Sequence, residues 1–166
     1  ISHRVILITA YHHSERPQQW DQLLADTDAH FRKPGFWTES NIAALAQCCV
    51  DNQLDEQAIG YYGEAIPLPQ RTQPYRGIGT RTPSHYYRHQ ARAYSRLGRT
   101  QEAVDAASAA VISWGPSHSS RQEDVTELRQ VLERAADLDQ FTTSLDAKSE
   151  STGQDSPLIR KQLGFA

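Results

Sequence analysis

Apolar residues return along this chain with helical, not strand, spacing. Ile42, Leu45, Ala46 and Cys49 fall at i, i+3, i+4 and i+7, and Ala58, Tyr62 and Ala65 resume the period after a short polar break. The same order reappears 45 residues later as Tyr87, Gln90, Ala91 and Tyr94, followed by Ala103, Ala107 and Ala110. Small residues suit places where two helix backbones approach, and the large ones fill the space beside them. Leu7, Tyr11, Trp20 and Leu24 lie on the same grid, with a tryptophan where the later units carry a small residue. Three units then begin near residues 1, 39 and 84, at spacings of 38 and 45.

Helix punctuation agrees with this division. Ser14 to Arg16 break the first unit, Pro17 opens its second helix, and Arg32-Lys33-Pro34-Gly35 closes it. Thr38 can cap the next helix, Asp51 to Leu54 form a turn, and Asp55 and Glu56 suit a helix N-terminus. Between residues 66 and 83, Pro67, Pro69, Pro74, Gly77, Gly79 and Pro83 exclude continuous helix; Thr82-Pro83 then reads as a cap and first helical residue. Such a connection is either a functional loop or a tolerated insertion. Leu97-Gly98-Arg99 predicts a tight turn, and Trp114-Gly115-Pro116 a helix stop. Ser120-x-x-Glu123 signals a further helix with Val125, Leu128, Leu132 and Ala135 on its apolar face. From about Thr142 to Ser156 the chain turns to Ser, Thr, Asp, Lys, Gln and Gly. This predicts a helical domain over 1–138 and a linker-like tail over 139–166, with Leu158, Ile159, Leu163 and Phe165 as residues through which its end can dock.

The order of large and small positions in the two clearest units resembles the tetratricopeptide (TPR) repeat, whose usual period is about 34 residues. The resemblance covers residues 1 to about 138 and is closest over the last pair. It implies an all-α, right-handed superhelix of about three helix-turn-helix pairs, with the helix after Ser120 as the polar-faced C-terminal cap that a solenoid needs. In this family the first helix of each pair lines a concave groove. The equivalent positions are His85, Arg88, His89, Arg92 and Arg96, with Tyr87, Ala91 and Tyr94 turned to the core. Ala103 falls at a close helix contact, and Ser108 is expected to be exposed. The co-chaperone subclass clamps a C-terminal carboxylate with Lys, Asn and Arg. Ser2, Ile6, Ser40, Ala44, His85 and His89 occupy the corresponding positions and cannot build that clamp.

Charge sharpens this picture. The whole chain is acidic, at formal charge −3, yet seven arginines (71, 76, 81, 88, 92, 96 and 99) and no Asp or Glu lie between Ala65 and Gln101. Such segregation concentrates positive potential, and Arg88, Arg92, Arg96 and Arg99 advance along one helix face. The expected function is a non-catalytic protein-interaction scaffold that takes an acidic peptide or protein surface, with Arg71, Tyr75, Arg76 and Arg81 as loop contacts. Protonation of His89 would strengthen that binding. A helical-repeat nucleic-acid binder is an alternative, since Tyr75, Tyr86 and Tyr87 can stack on bases, but three lysines and a pI near 6.2 argue against it. A structural spacer or oligomerisation element is the other.

The remaining chemistry is sparse. His85 and His89 share a helix face at i, i+4, but no carboxylate joins them and Arg88 stands between, so no metal or other cofactor is expected. His12 and His13 read as surface residues. The chain carries no Gly-x-Ser-x-Gly elbow, phosphate loop or Cys-x-x-Cys pair, and Gly77-Ile78-Gly79 is a fragment in a proline-rich connection; no enzyme is predicted. Cys48 and Cys49 point about 100° apart on a helix and read as packed thiols, which favours a reducing, cytoplasmic setting. Hydrophobic content of 38% suits an ordinary core, and no apolar run approaches the ~18 residues of a membrane span. The total absence of methionine suggests a piece of a longer protein.

Overall fold

The computed structural model describes residues 17–68, 83–113, 122–135, 138–153, 155, 157 and 160–161. Among them are seven helices and no strands: α1 Pro17–Phe31, α2 Glu39–Asp51, α3 Asp55–Ala65, α4 Pro83–Arg96, α5 Thr100–Ile112, α6 Gln122–Ala135 and α7 Leu138–Thr152. The chain is therefore all-α over the described residues. It divides into two compact units, Ile1–Thr80 and Arg81–Ala166.

In the first unit, Trp20, Leu24, Thr27 and Phe31 make one buried face of α1, and the Thr27 hydroxyl is satisfied by donating to the Leu23 carbonyl at 2.7 Å. Gly35 takes φ +84° in the turn that follows, a conformation that a Cβ would strain. The Asn41 side chain donates to the Phe36 carbonyl at 2.7 Å, and Thr38 caps α2 by accepting from the Asn41 amide. Ile42, Leu45, Ala46 and Cys49 of α2 are buried, as are Ala58, Tyr62 and Ala65 of α3, and the two helices pack on each other. Their turn is closed by the Asn52 side chain donating to the Cys48 carbonyl at 2.6 Å and by the Leu54 amide donating to the Cys49 carbonyl at 2.9 Å. Arg32 joins the end of α1 to α3, pairing with Asp28 at 2.8 Å and Glu64 at 3.2 Å while its guanidinium lies 4.5 Å over the Trp37 ring.

The second unit is organised around α5. Ala103, Val104, Ala106, Ala107, Ser108, Ala110, Val111 and Ile112 are all buried, so this helix is covered nearly all round, by α4, α6 and α7. Gly98, at φ +73°, makes the α4–α5 turn, where the Arg99 amide donates to the Tyr94 carbonyl at 2.9 Å. Leu128, Val131 and Leu132 of α6 complete the core with Phe141 and Leu145 of α7.

Several expectations change here. Instead of a tail after 138, α7 runs through Leu138–Thr152, with Phe141, Leu145 and Ser149 buried at i, i+4 and i+8. Its apolar stripe is one residue wide, so Ser, Thr, Asp and Lys dominate the composition while two large side chains still anchor the helix. The Ser144 hydroxyl donates to Asp105 of α5 at 2.7 Å, and Arg160 beyond the helix pairs with Asp146. Ser108 is buried, not exposed; donating to the Val104 carbonyl at 2.9 Å satisfies its hydroxyl inside the core. Tyr86, absent from the expected core, is fully buried, whereas Tyr87 and Tyr94 are partly buried against the α5 cluster. The expected first helix, the 69–82 connection and Ser120 of the capping box lie outside the described residues.

Phe141→Ala is expected to cost about 3–5 kcal/mol through the cavity it leaves, whereas Glu150→Ala on the exposed face of α7 should stay within about 0.5 kcal/mol. Urea denaturation of the two variants checks this. Equal midpoints would show that α7 carries no core contact. Ala103→Leu is expected to overpack α5 by about 1–3 kcal/mol, against a much smaller effect of Gln101→Leu, at an exposed position of the same helix. Thermal melts of that pair test whether Ala103 marks a close helix contact.

Candidate functional site

Pro83 opens α4 with its φ already helical, and the helix then carries His85, Arg88, His89, Arg92 and Arg96 with no acid of its own. Two further groups at its end are engaged locally. Arg99 bonds Glu102 at 2.9 Å and lies 4.8 Å over the Tyr94 ring. Backbone hydrogen bonding at Glu102 and then the Arg99 guanidinium hold the Glu102 carboxyl below its usual range. Arg99 thus belongs to the α4–α5 turn and leaves the row of cations at Arg96.

The five α4 residues do not share one environment. His89 is buried, at 8% exposure, and its ring lies 4.4 Å from that of His85 at a steep tilt. Its expected role as an exposed pH-responsive contact does not fit that burial. His85 Nδ1 lies 3.3 Å from a terminal nitrogen of Arg88; guanidinium has no acceptor, so Nδ1 accepts and the ring proton sits on Nε2. Arg92 and Arg96 are exposed at the C-terminal end of α4, where positive charge complements the helix dipole.

Folding brings an acid to this face that the local sequence lacks. Glu127 of α6 sits between Arg88, at 3.4 Å, and Arg92, at 3.6 Å. Side-chain exposure is 15% for Arg88, 29% for Glu127 and 51% for Arg92, so the contact runs from a nearly covered guanidinium out to an accessible one. Sequence spacing showed that Arg88 and Arg92 share a face. Only the α4–α6 packing could reveal their common carboxylate, 35 residues from Arg92 along the chain. Arg71, Tyr75, Arg76 and Arg81, the expected loop contacts, lie outside the described residues.

Among the described residues no three His, Cys, Asp or Glu side chains are grouped as a metal site. No described helix is long and apolar enough to cross a membrane. A surface cleft of about 410 Å³ between α5 and α7 is lined by residues that include Gln101, Asp105, Asp139, Thr143, Ser144 and Lys148, a feature that the sequence reading of 139–166 as a tail precluded. Cys48 and Cys49 are both buried and outside any disulfide; burial first, then the neighbouring Cys48, pushes the Cys49 thiol up to about 12. No family model, curated protein or solved structure matches this chain.

Cys49 is expected to resist iodoacetamide at mildly alkaline pH in the folded protein and to react once urea unfolds the first unit. Because its folded-state pKa is raised, its contribution to stability is complete below the ordinary thiol value of 9.0 and is lost as pH rises from there through about 12. A urea midpoint that falls over this window in wild type, and falls less in Cys49→Ala, checks the sign.

Proposed function

We propose that this chain is a non-catalytic helical interaction module that docks an acidic peptide segment of a protein partner on the α4 face formed by Arg88, Arg92 and Arg96. The observation that carries the reading is a row of guanidinium groups on a helix without acids, with Arg92 and Arg96 exposed. Guanidinium donors grip carboxylates in fixed geometry, and a preformed helical surface spares the receptor the entropy of ordering. His85, half-buried on the same helix, lies beside Arg88, and the buried His89 ring packs 4.4 Å from the His85 ring. The helix pairs α2–α3 and α4–α5, with small buried residues Ala58, Ala65, Ala91 and Ala103, support a tetratricopeptide-like repeat as the scaffold.

One observation favours the structural-spacer reading. Arg88 and Arg92 reach Glu127 within the same unit, which is how a brace between α4 and α6 would look. Against a pure brace stand the half-exposed Arg92 side chain and the exposed Arg96.

The double variant Arg92→Ala/Arg96→Ala should weaken binding of a fluorescein-labelled oligoglutamate peptide about 2- to 30-fold at low salt, from roughly 0.2–1 kcal/mol for each exposed ion pair. The thermal midpoint should hardly move, and salt should weaken the wild-type complex. Fluorescence polarisation with the acidic peptide, a neutral peptide and a single-stranded oligonucleotide separates the readings. Preference for the oligonucleotide would replace the peptide-docking function, and indifference of every probe to the double variant would favour the spacer.

A further inference from the structure

The most informative contact in the second unit is the carboxylate divided between two arginines. Among the described residues the sequence-local guanidinium–carboxylate pairs are tight, Arg32 meeting Asp28 at 2.8 Å and Arg99 meeting Glu102 at 2.9 Å, the range of charge-assisted hydrogen bonds, while the Arg32–Glu64 pair between helices stands at 3.2 Å. Glu127 approaches Arg88 only to 3.4 Å and Arg92 only to 3.6 Å. Both distances satisfy an ion pair, and both exceed a short charge-assisted hydrogen bond. The Glu127 oxygen that faces Arg92 is itself buried, but the Glu127 side chain is 29% exposed and that of Arg92 51% exposed, so water and salt reach the contact from the Arg92 side.

We infer that Glu127 is a displaceable internal stand-in for the acidic ligand: its carboxylate occupies the Arg88–Arg92 seat, and an incoming acidic side chain takes Arg92 from it. This rests on the peptide-docking reading above and adds the regulation of that same site. The exposure gradient sets the order of events. A ligand carboxylate meets exposed Arg96 and the outer side of Arg92 first, while Arg88, only 15% exposed, keeps its hold on Glu127 longest. The stand-in also defines ligand chemistry, since a seat already filled by a glutamate side chain from a helix takes another carboxylate presented by a peptide. Competition between the two lowers apparent affinity, because only the fraction of molecules with the seat open binds. A single acidic side chain would then bind poorly, and several in one segment would bind well. The surface is thereby screened against isolated carboxylates.

Glu127→Gln keeps the size of the side chain and removes its charge. It should tighten oligoglutamate binding roughly 1.4- to fivefold at low salt, the range expected for losing one exposed ion-pair competitor. Glu150→Gln, an equal change in net charge at an exposed position on α7, should leave affinity where it was. In an Arg92→Ala background the gain from Glu127→Gln should largely vanish, because there is no longer a shared guanidinium to release. If wild type binds and Glu127→Gln binds no tighter than Glu150→Gln, the stand-in is overturned while the docking face survives. A gain that persists undiminished in the Arg92→Ala background also overturns it, reducing the effect to general charge. If neither wild type nor Glu127→Gln binds the peptide, the docking reading falls and the stand-in falls with it. A thermal midpoint lowered by many degrees in Glu127→Gln overturns it too, since a carboxylate whose departure unfolds the unit cannot be vacated by a ligand.

Discussion

The second unit depends on the need to surround α5. A helix carrying Ala103, Val104, Ala106, Ala107, Ala110, Val111 and Ile112 offers no polar face wide enough to leave in water, so helices must cover it from several sides. The alanines let those neighbours come close, and the larger residues that fill the remaining space are supplied by the neighbours: Leu128 and Leu132 from α6, Phe141 and Leu145 from α7, with Tyr87 and Tyr94 from α4 at the edge. Ser108 is compatible with this burial because its hydroxyl turns back onto its own helix.

The candidate site is a by-product of that packing. Once α6 is drawn onto α5 it also lies against α4, and Glu127 then faces the arginines of a helix that has no acid within reach along the chain. The result is graded: Arg88 is nearly covered, Arg92 half open and Arg96 exposed. A surface built this way binds through exposed charges whose removal disturbs the core little, which is why recognition and folding can be measured separately. The buried thiols of the first unit have the opposite character, with Cys48 and Cys49 held inside the α2–α3 packing and Cys49 kept protonated by it.

Legibility in the sequence followed the width of each apolar stripe. Ile42, Leu45, Ala46, Cys49, Ala58, Tyr62 and Ala65 stood out because helical spacing and hydrophobicity agree, and all are buried. In α7 only Phe141 and Leu145 carry the stripe and Ser149 extends it, so composition concealed a helix that the core requires. Tyr86 escaped for a related reason. α4 buries two rows, Tyr86 with Gln90 and Ala93 as well as Ala91 with Tyr87 and Tyr94, and a single repeat grid marks only one of them. The same two-sided burial took His89 out of the exposed cationic face.

By itself the sequence determined that the chain is helical, where the α2–α3 and α4–α5 pairs turn, and that positive charge gathers on α4. These follow from the period of apolar residues, from turn residues such as Gly98, and from charge order, all of which are local properties. Tertiary structure alone decided that residues 138–152 complete a core, that Ser108 and His89 are inside it, and that Glu127 is set between Arg88 and Arg92. Those outcomes depend on which distant side chains fill the space around an alanine-rich helix. Spacing along the chain carries no record of that choice.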